Sequence, residues 1–503
     1  MVKKIIVLCM ALVFAAPGVS HGARDMLRVG VAVDAKNLDP QNSVDTFSFA
    51  IQRQIYEPLF TVNGRTKQLV SVLVDKWEQL DQQTYRFHLK KGVRFHNGEE
   101  LTAEDVAFSL KRVTTDSVFA KSRGQYINPN GFKIEGKYTL VMQTNGPVGD
   151  FLGSMKHPYA SILNKKAVTE AGREYFRTPV GTGPYRLVKW VKGEFTDLEA
   201  FPGYHGKKPN FAKMRFVILP ESASRTIALE TGKVDMINAV PYNDFDRLVK
   251  EDKVKVVEAP GLLLLSLGMN TQSPKLKDPR VRLAIEYAIN KDVYNQVVYS
   301  GHAKTPEGPL PTVSQWYPKE IKQRFPYDPE KAKALLKEAG VTDLTLSLAV
   351  ISSQDRVDGA TLIQNMLSQV GIKVDIQVTE NAVFNDKMRE GKHELYIATW
   401  GMQTNRDAGV YWYALFTTSA IGSTNYTMTR DQQLNDDILK ATATVDQEER
   451  GRIFQRIWDR INELHPMVYL SIANEVYAGA KNLEGMENFA DGKINYLGDL
   501  QLK

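Results

Sequence analysis

Cysteine is nearly missing from this 503-residue chain, with Cys9 the only one. A single thiol excludes an internal disulfide framework, a cysteine-built zinc site and an iron–sulfur cluster. Charge of one sign is scarce as well. There are 64 basic and 58 acidic residues, leaving a net +6. No run of five or six like charges occurs, so the dense basic patch of a nucleic-acid binder is lacking. Beyond the N-terminus no apolar run approaches the roughly 20 residues of a membrane-spanning helix. Gly261–Gly268 is the longest and is strand-sized. What remains is an ordinary globular composition, 43% hydrophobic and 24% charged. At about 150 residues per domain, the length suggests about three domain-sized units.

Cys9 itself lies in an address. Lys3 and Lys4 precede an apolar run from Ile5 to Ala16, then Pro17 and Gly18, then the small residues Ser20, Gly22 and Ala23. This is the pattern of a cleavable secretory signal over residues 1–23. A lipoprotein signal would place its cysteine after the apolar run, whereas Cys9 sits inside it. The mature product is expected to be exported, soluble and free of thiols.

Strands and helices alternate along the rest. Thr84–Leu89 alternates Tyr85, Phe87 and Leu89 against Arg86 and His88, predicting a half-buried strand. Gly261–Asn270 is almost continuously apolar, predicting a strand covered on both faces. Helix starts are marked by Thr102 with Asp105, by Asp278-Pro279 and by Asp328-Pro329. From Val341 to Trp400 the order is strand, helix, strand, helix, strand. That order predicts a parallel sheet with covering helices and ligand contacts at the carboxyl ends of its strands. The last strand is expected to end at Thr399, placing Trp400 and the loop after it beside a ligand. Tyr411, Trp412 and Tyr413 are read either as loop aromatics near that ligand or as core.

Signs of catalysis are few. There is no Gly-x-Ser-x-Gly elbow and no phosphate-binding loop of the Walker type. Gly181-Thr182-Gly183 lacks the third glycine of a dinucleotide fingerprint and does not follow a strand, so it reads as a turn. None of the eight histidines is spaced for ligation with another on one helix. No cofactor and no metal site is expected.

Several long motifs resemble the peptide/nickel-type solute-binding proteins of ABC importers (family 5). They are Val72–Glu78, Thr84–Gly98 and Leu101–Val106, with Tyr56-Glu57-Pro58-Leu59, Pro179–Tyr185, Leu229–Asp235 and Met269-Asn270 in the family's order. Asp278–Asn290 and Tyr327–Gly340 follow. The resemblance implies an α/β, two-lobed periplasmic binding protein fold of type II. An extra subdomain is inserted in the N-terminal lobe, and the ligand cleft lies between lobes. It implies lobe I at 24–55, 177–266 and 478–503, the subdomain at 56–176 and lobe II at 267–477. It further implies a periplasmic, monomeric, non-enzymatic receptor that closes on a peptide or peptide-like solute and delivers it to an inner-membrane permease. The dipeptide, oligopeptide and glutathione branches are nearest in appearance. In the peptide-binding branches an aspartate stands three residues after the tryptophan, to hold the α-ammonium. Here that position is Gln403, with Asp407 and Arg406 close by. Trp400, Gln403, Thr404, Arg406 and Asp407 are therefore the expected ligand contacts, with Ala35, Lys36 and Asn37 in the loop after the first strand. The alternatives are a receptor for a nickel or other metal chelate, and, in another class, an exported hydrolase of small peptides or glycosides.

Overall fold

The strand-forming segments sort into three main sheets. The computed structural model describes residues 25–63, 68–120, 123–321, 324–402, 407–489 and 496–503; the signal-like segment lies outside them. The first sheet has seven strands in the order Val254–Ala259, Glu475–Ala480, Met236–Asn238, Met26–Val31, Lys213–Ile218, Phe195–Ala200 and Tyr185–Val191. The second has six, in the order Ala303–Lys304, Met467–Ala473, Leu263–Met269, Leu395–Gly401, Leu344–Ile351 and Ile372–Thr379. The third is a four-stranded antiparallel sheet formed from Val74–Gln79, Thr84–Leu89, Thr139–Thr144 and Ile127–Gly136.

The two large sheets are covered on both faces, as the run at 261–270 predicts. Along Leu263–Met269, Leu264 joins one apolar cluster and Leu265 the other. Leu344–Ile351 pairs in parallel with Ile372–Thr379 and with Leu395–Gly401. The helices Gln354–Ser368 and Asn381–Arg389 intervene in sequence, which is the expected βαβαβ order. Its last strand runs on to Gly401, so Trp400 lies within it, opposite Leu264. The predicted helix starts hold: Asp278 and Asp328 each accept a backbone N–H at the first turn, and Asp105 accepts the Thr102 N–H at 2.9 Å.

The chain passes between the large sheets twice, and the two passages run side by side. Ala259 pairs with Glu475 in the seven-stranded sheet, and Leu264 pairs with Ile472 in the six-stranded one. They approach so closely that a Cβ on Gly261 would lie 1.9 Å from the Ala473 carbonyl oxygen. Only glycine fits there.

The four-stranded unit is fastened firmly to the seven-stranded lobe. Arg112 on the helix Ala103–Arg112 forms a bidentate pair with Asp39, at 3.1 and 2.7 Å, and donates to Gln41. Glu57 accepts from Thr182, Tyr204 and His205 at 2.8–2.9 Å. The His96 ring bridges the turn at 181–183, accepting the Gly181 N–H and facing the Gly183 carbonyl at 2.9 Å. That turn presses on the end of the helix Thr46–Ile55, where a Cβ on Gly181 would lie 1.9 Å from the Ile55 oxygen. Burial pushes His96 down to about 4. These bonds tie the four-stranded unit to the seven-stranded lobe.

Candidate functional site

The parallel strands of the second sheet end near Ile351, Thr379 and Gly401, and side chains of interest gather there. Trp400 stands edge-on to Tyr426, with ring centroids 5.4 Å apart. Its indole N–H is buried and meets no acceptor among the described residues. Such a donor is unfavourable unless something supplies an acceptor. On the other face of the strand, the Thr399 hydroxyl accepts from the Arg356 guanidinium at 2.6 Å, and Arg356 also pairs with Asp355 at 2.9 Å. Arg356 lies in the first turn of the helix Gln354–Ser368, where the helix dipole adds to its positive charge. Tyr299, close to Arg356, packs edge-on at 5.5 Å against Tyr242 of lobe I. This corner therefore faces the passage between the lobes.

Asp407 has a different task from the expected one. It caps the helix Ala408–Phe416 by accepting the Val410 N–H. Its carboxylate is also paired with Arg450 at 2.7 and 3.0 Å, the two side chains being 0% and 1% exposed. Arg450 donates further to the Ala441 carbonyl and stacks near Phe454 and Trp316. A fully buried, doubly bonded carboxylate is committed to the protein, which corrects the reading of Asp407 as a ligand contact. Of the two readings of the aromatic run, the core one holds. Tyr411 and Trp412 are buried on one helix, not set in a loop, and the Trp412 N–H reaches the Pro309 carbonyl. Gln403, Thr404 and Arg406 lie outside the described residues.

The opposite wall belongs to the inserted unit. Tyr126 is pushed up to about 12 by burial, with Tyr413 and Asp407 facing it. Asp150 is pushed up to about 7, chiefly by burial and then by the Asp407 charge.

In the loop after the first strand, Ala35 is buried in the lobe I core. The Asn37 amide is spent within the loop, accepting from Asp39 and Ser43 and donating to Asn42. Lys36 is exposed and its N–H is held by Ser48. Ala35 and Asn37 thus build the loop, which corrects their reading as contacts.

Sequence reasoning missed Arg356, Asp150 and Arg450. The rule that pointed to Trp400 also covers Arg356, which closely follows the carboxyl end of Leu344–Ile351. Asp150 and Arg450 carry no comparable local signal, because their meeting is set by the packing of distant segments. Among the described residues no group of three or more metal-ligating side chains converges, and no helix is long and apolar enough to cross a membrane. At the His205–Glu57 pair the Thr182 hydroxyl is turned to the Glu57 carboxylate and not to the imidazole.

Two covered α/β lobes joined by a double passage, with side chains converging between them, define a hinged binding protein. The chain belongs to the bacterial extracellular solute-binding proteins, family 5, whose middle region it matches over residues 68–422. It is 28% identical over 480 residues to the glutathione-binding protein GsiB of Pectobacterium atrosepticum, covering 93% of this chain and 92% of that one. It is 27% identical to GsiB of Escherichia coli over the same shares. The periplasmic binding protein DppA of Helicobacter pylori, solved with the peptide STSA, superposes with a TM-score of 0.83 at 28% identity, over 95% of this chain and 98% of that one. The oligopeptide-binding protein AppA of Bacillus subtilis shares the fold, with a TM-score of 0.81 at 23% identity over 96% and 99% of the two chains. The fold is thus the two-lobed type II architecture of this family.

Proposed function

We propose that the protein is the periplasmic receptor of an ABC importer, capturing a peptide or peptide-like solute and handing it to an inner-membrane permease. The observation that carries this reading is the unanswered indole donor of Trp400 near the carboxyl end of the second sheet. An unmet N–H there suits a ligand that offers a carbonyl or carboxylate. The relatives that bind glutathione and peptides support the same chemistry. Trp400, Arg356, Gln403, Thr404, Arg406 and Lys36 are the proposed contacts. Asp407, Ala35 and Asn37 shape the walls.

Closure is a rotation about the paired passages, which we place at 260–262 and 474, a few residues ahead of 266 and 477. Lobe I and the unit at 56–176 move as one body against lobe II. Ligand favours the closed state through contacts made only when both walls meet it. Residues 1–23 serve as the export signal, and the receptor acts as a monomer without nucleic acid. Native mass spectrometry of freshly purified protein, followed by thermal melting with dipeptides, tripeptides, glutathione and nickel–histidine, tests the reading. A rise in Tm with a peptide or glutathione is expected. Flat melting with every member at millimolar concentration refutes it.

A further inference from the structure

Beside the double passage a third contact joins the two large lobes, and it is made by side chains. The passage residue Asn474 is bonded three ways. Its N–H donates to the His302 carbonyl of lobe II at 3.0 Å, its side-chain amide donates to Glu258 of lobe I at 2.8 Å, and its carbonyl accepts the Tyr242 hydroxyl of lobe I at 2.6 Å. The same Glu258 oxygen faces His302 Nδ1 at 3.2 Å. A carboxylate only accepts, so Nδ1 carries the hydrogen. The His302 ring centre lies 4.1 Å from that of Phe245 and runs parallel to Tyr242 at 6.0 Å. Tyr242 thereby packs on the apolar cores of both lobes. Each half of the contact is fixed to its own lobe. The helix Tyr242–Glu251 is tied to the helix Ser222–Glu230 by Arg247 and Glu230 at 2.7 Å, and it buries Leu248 in lobe I. His302 is aimed by the end of the helix Lys291–Tyr299, where Ser300 and Gly301 take positive φ of 51° and 82°. A serine in that conformation is strained and persists only where its surroundings enforce it. The next residue, Ala303, pairs with Ala473 of lobe II.

We propose that His302, gripped by Tyr242, Phe245 and Glu258, is a brace that holds the lobes to a single hinge motion. The proposal goes beyond the receptor reading above, since it concerns how the lobes move and not what they bind. Two passages one strand spacing apart, about 5 Å, form a ribbon. Such a ribbon flexes across its flat face and also twists about its length, so by itself it leaves the lobes two modes of motion. The brace adds a support beside the ribbon. Displacement grows with distance from a rotation axis, and Tyr242 and His302 are bonded directly to Asn474. Flexing about an axis through the passages and the brace therefore keeps the rings and the Glu258 bonds together. Twisting slides His302 across Tyr242 and Phe245 and parts it from Glu258. A bond to a carboxylate and an aromatic contact together disfavour the twisted arrangements about tenfold. The two walls are thus kept in register before a ligand arrives.

The test uses the full chain with Cys9→Ser and two spin-label sites, Lys133→Cys on the inserted unit and Glu448→Cys on lobe II, both exposed. Double electron–electron resonance reads the distribution of distances between the labels in the ligand-free protein. In the parent, twisted arrangements should hold about a tenth of the population, and in His302→Ala about half, which widens the distribution. Phe245→Ala removes the grip from the other lobe and should widen it likewise. His302→Phe keeps the ring and loses the Glu258 bond, so its width should fall between. With the competent fraction roughly halved, dipeptide, tripeptide or glutathione, whichever binds the parent, should bind H302A about twofold more weakly. A parent-like distribution in H302A overturns the brace, and where H302A folds poorly F245A decides in its place. Equal widening by Val249→Ala, an exposed residue of the same helix, also overturns it. Should no probe bind the parent, the receptor reading fails by itself, and the ligand-free widths still decide the brace.

Discussion

Asp407→Asn separates a carboxylate that serves the protein from one that serves a ligand. The substitution keeps size and keeps an oxygen able to accept the Val410 N–H, so the helix cap survives. It removes one thing: the countercharge of a guanidinium that is 1% exposed and held at 2.7 Å. Breaking one partner of a buried pair destabilises by about 3–5 kcal/mol, because the remaining charge stays desolvated. The loss should sit at about 3 kcal/mol. For a lobe of this size that is a fall in Tm of about 6–12 °C. Arg450→Met leaves the buried Asp407 carboxylate without its cation and should cost about as much, whereas the double variant should lose much less than the sum of the two. Differential scanning calorimetry of the four proteins gives the cycle. If D407N melts with the parent while ligand binding collapses, Asp407 belongs to the ligand and the argument from burial is wrong.

Other outcomes follow from the same geometry. Trp400→Phe keeps the ring and removes the unanswered donor, so calorimetric titration should show a loss of about 1 kcal/mol, roughly fivefold in Kd, with Tm unchanged. Arg356→Gln should weaken ligands that carry a free carboxylate more than their amidated forms, and equal losses would contradict its assignment. His96 is held near 4 in the fold against about 6.5 unfolded, so its contribution is present above pH 6.5 and lost as pH falls through about 4. Denaturant melts should lose about 3 kcal/mol over that interval in the parent and less in His96→Gln. Gly261→Ala forces the two passages apart, since its Cβ would meet the Ala473 oxygen at 1.9 Å. Small-angle scattering with saturating ligand should show a receptor that closes incompletely.

Much of the fold was legible because its determinants are local. The alternation at Thr84–Leu89, the caps at Asp278 and Asp328 and the unbroken apolar run before Asn270 each specify their element within a few residues. The site was less legible. Trp400 follows from the end-of-strand rule, and Arg356 would have followed from the same rule applied one strand earlier. Asp407 misled because a carboxylate beside an aromatic-rich segment looks the same in sequence whether it faces a ligand or an arginine 43 residues away. Nothing near Asp407 announces Arg450, which sits among Glu448, Glu449 and Arg452 on what reads as a solvated helix start. Tyr411–Tyr413 allowed two readings, of which core was right, for a related reason. Their helix is apolar nearly all round, so it shows no amphipathic stripe to distinguish it from a buried loop.

The side-by-side passages have a consequence for how the molecule could be taken apart. Because Ala259 faces Glu475 across one ladder, lobe II hangs from the tip of what would otherwise be a β-hairpin. Its two ends enter and leave within one strand spacing of each other. Replacing 260–474 by a tight turn should therefore leave the first lobe and its inserted unit with their ladders intact, while grafting a different domain at that tip would attach it by two neighbouring strands. The receptor is built like a hairpin whose loop has been exchanged for a whole lobe.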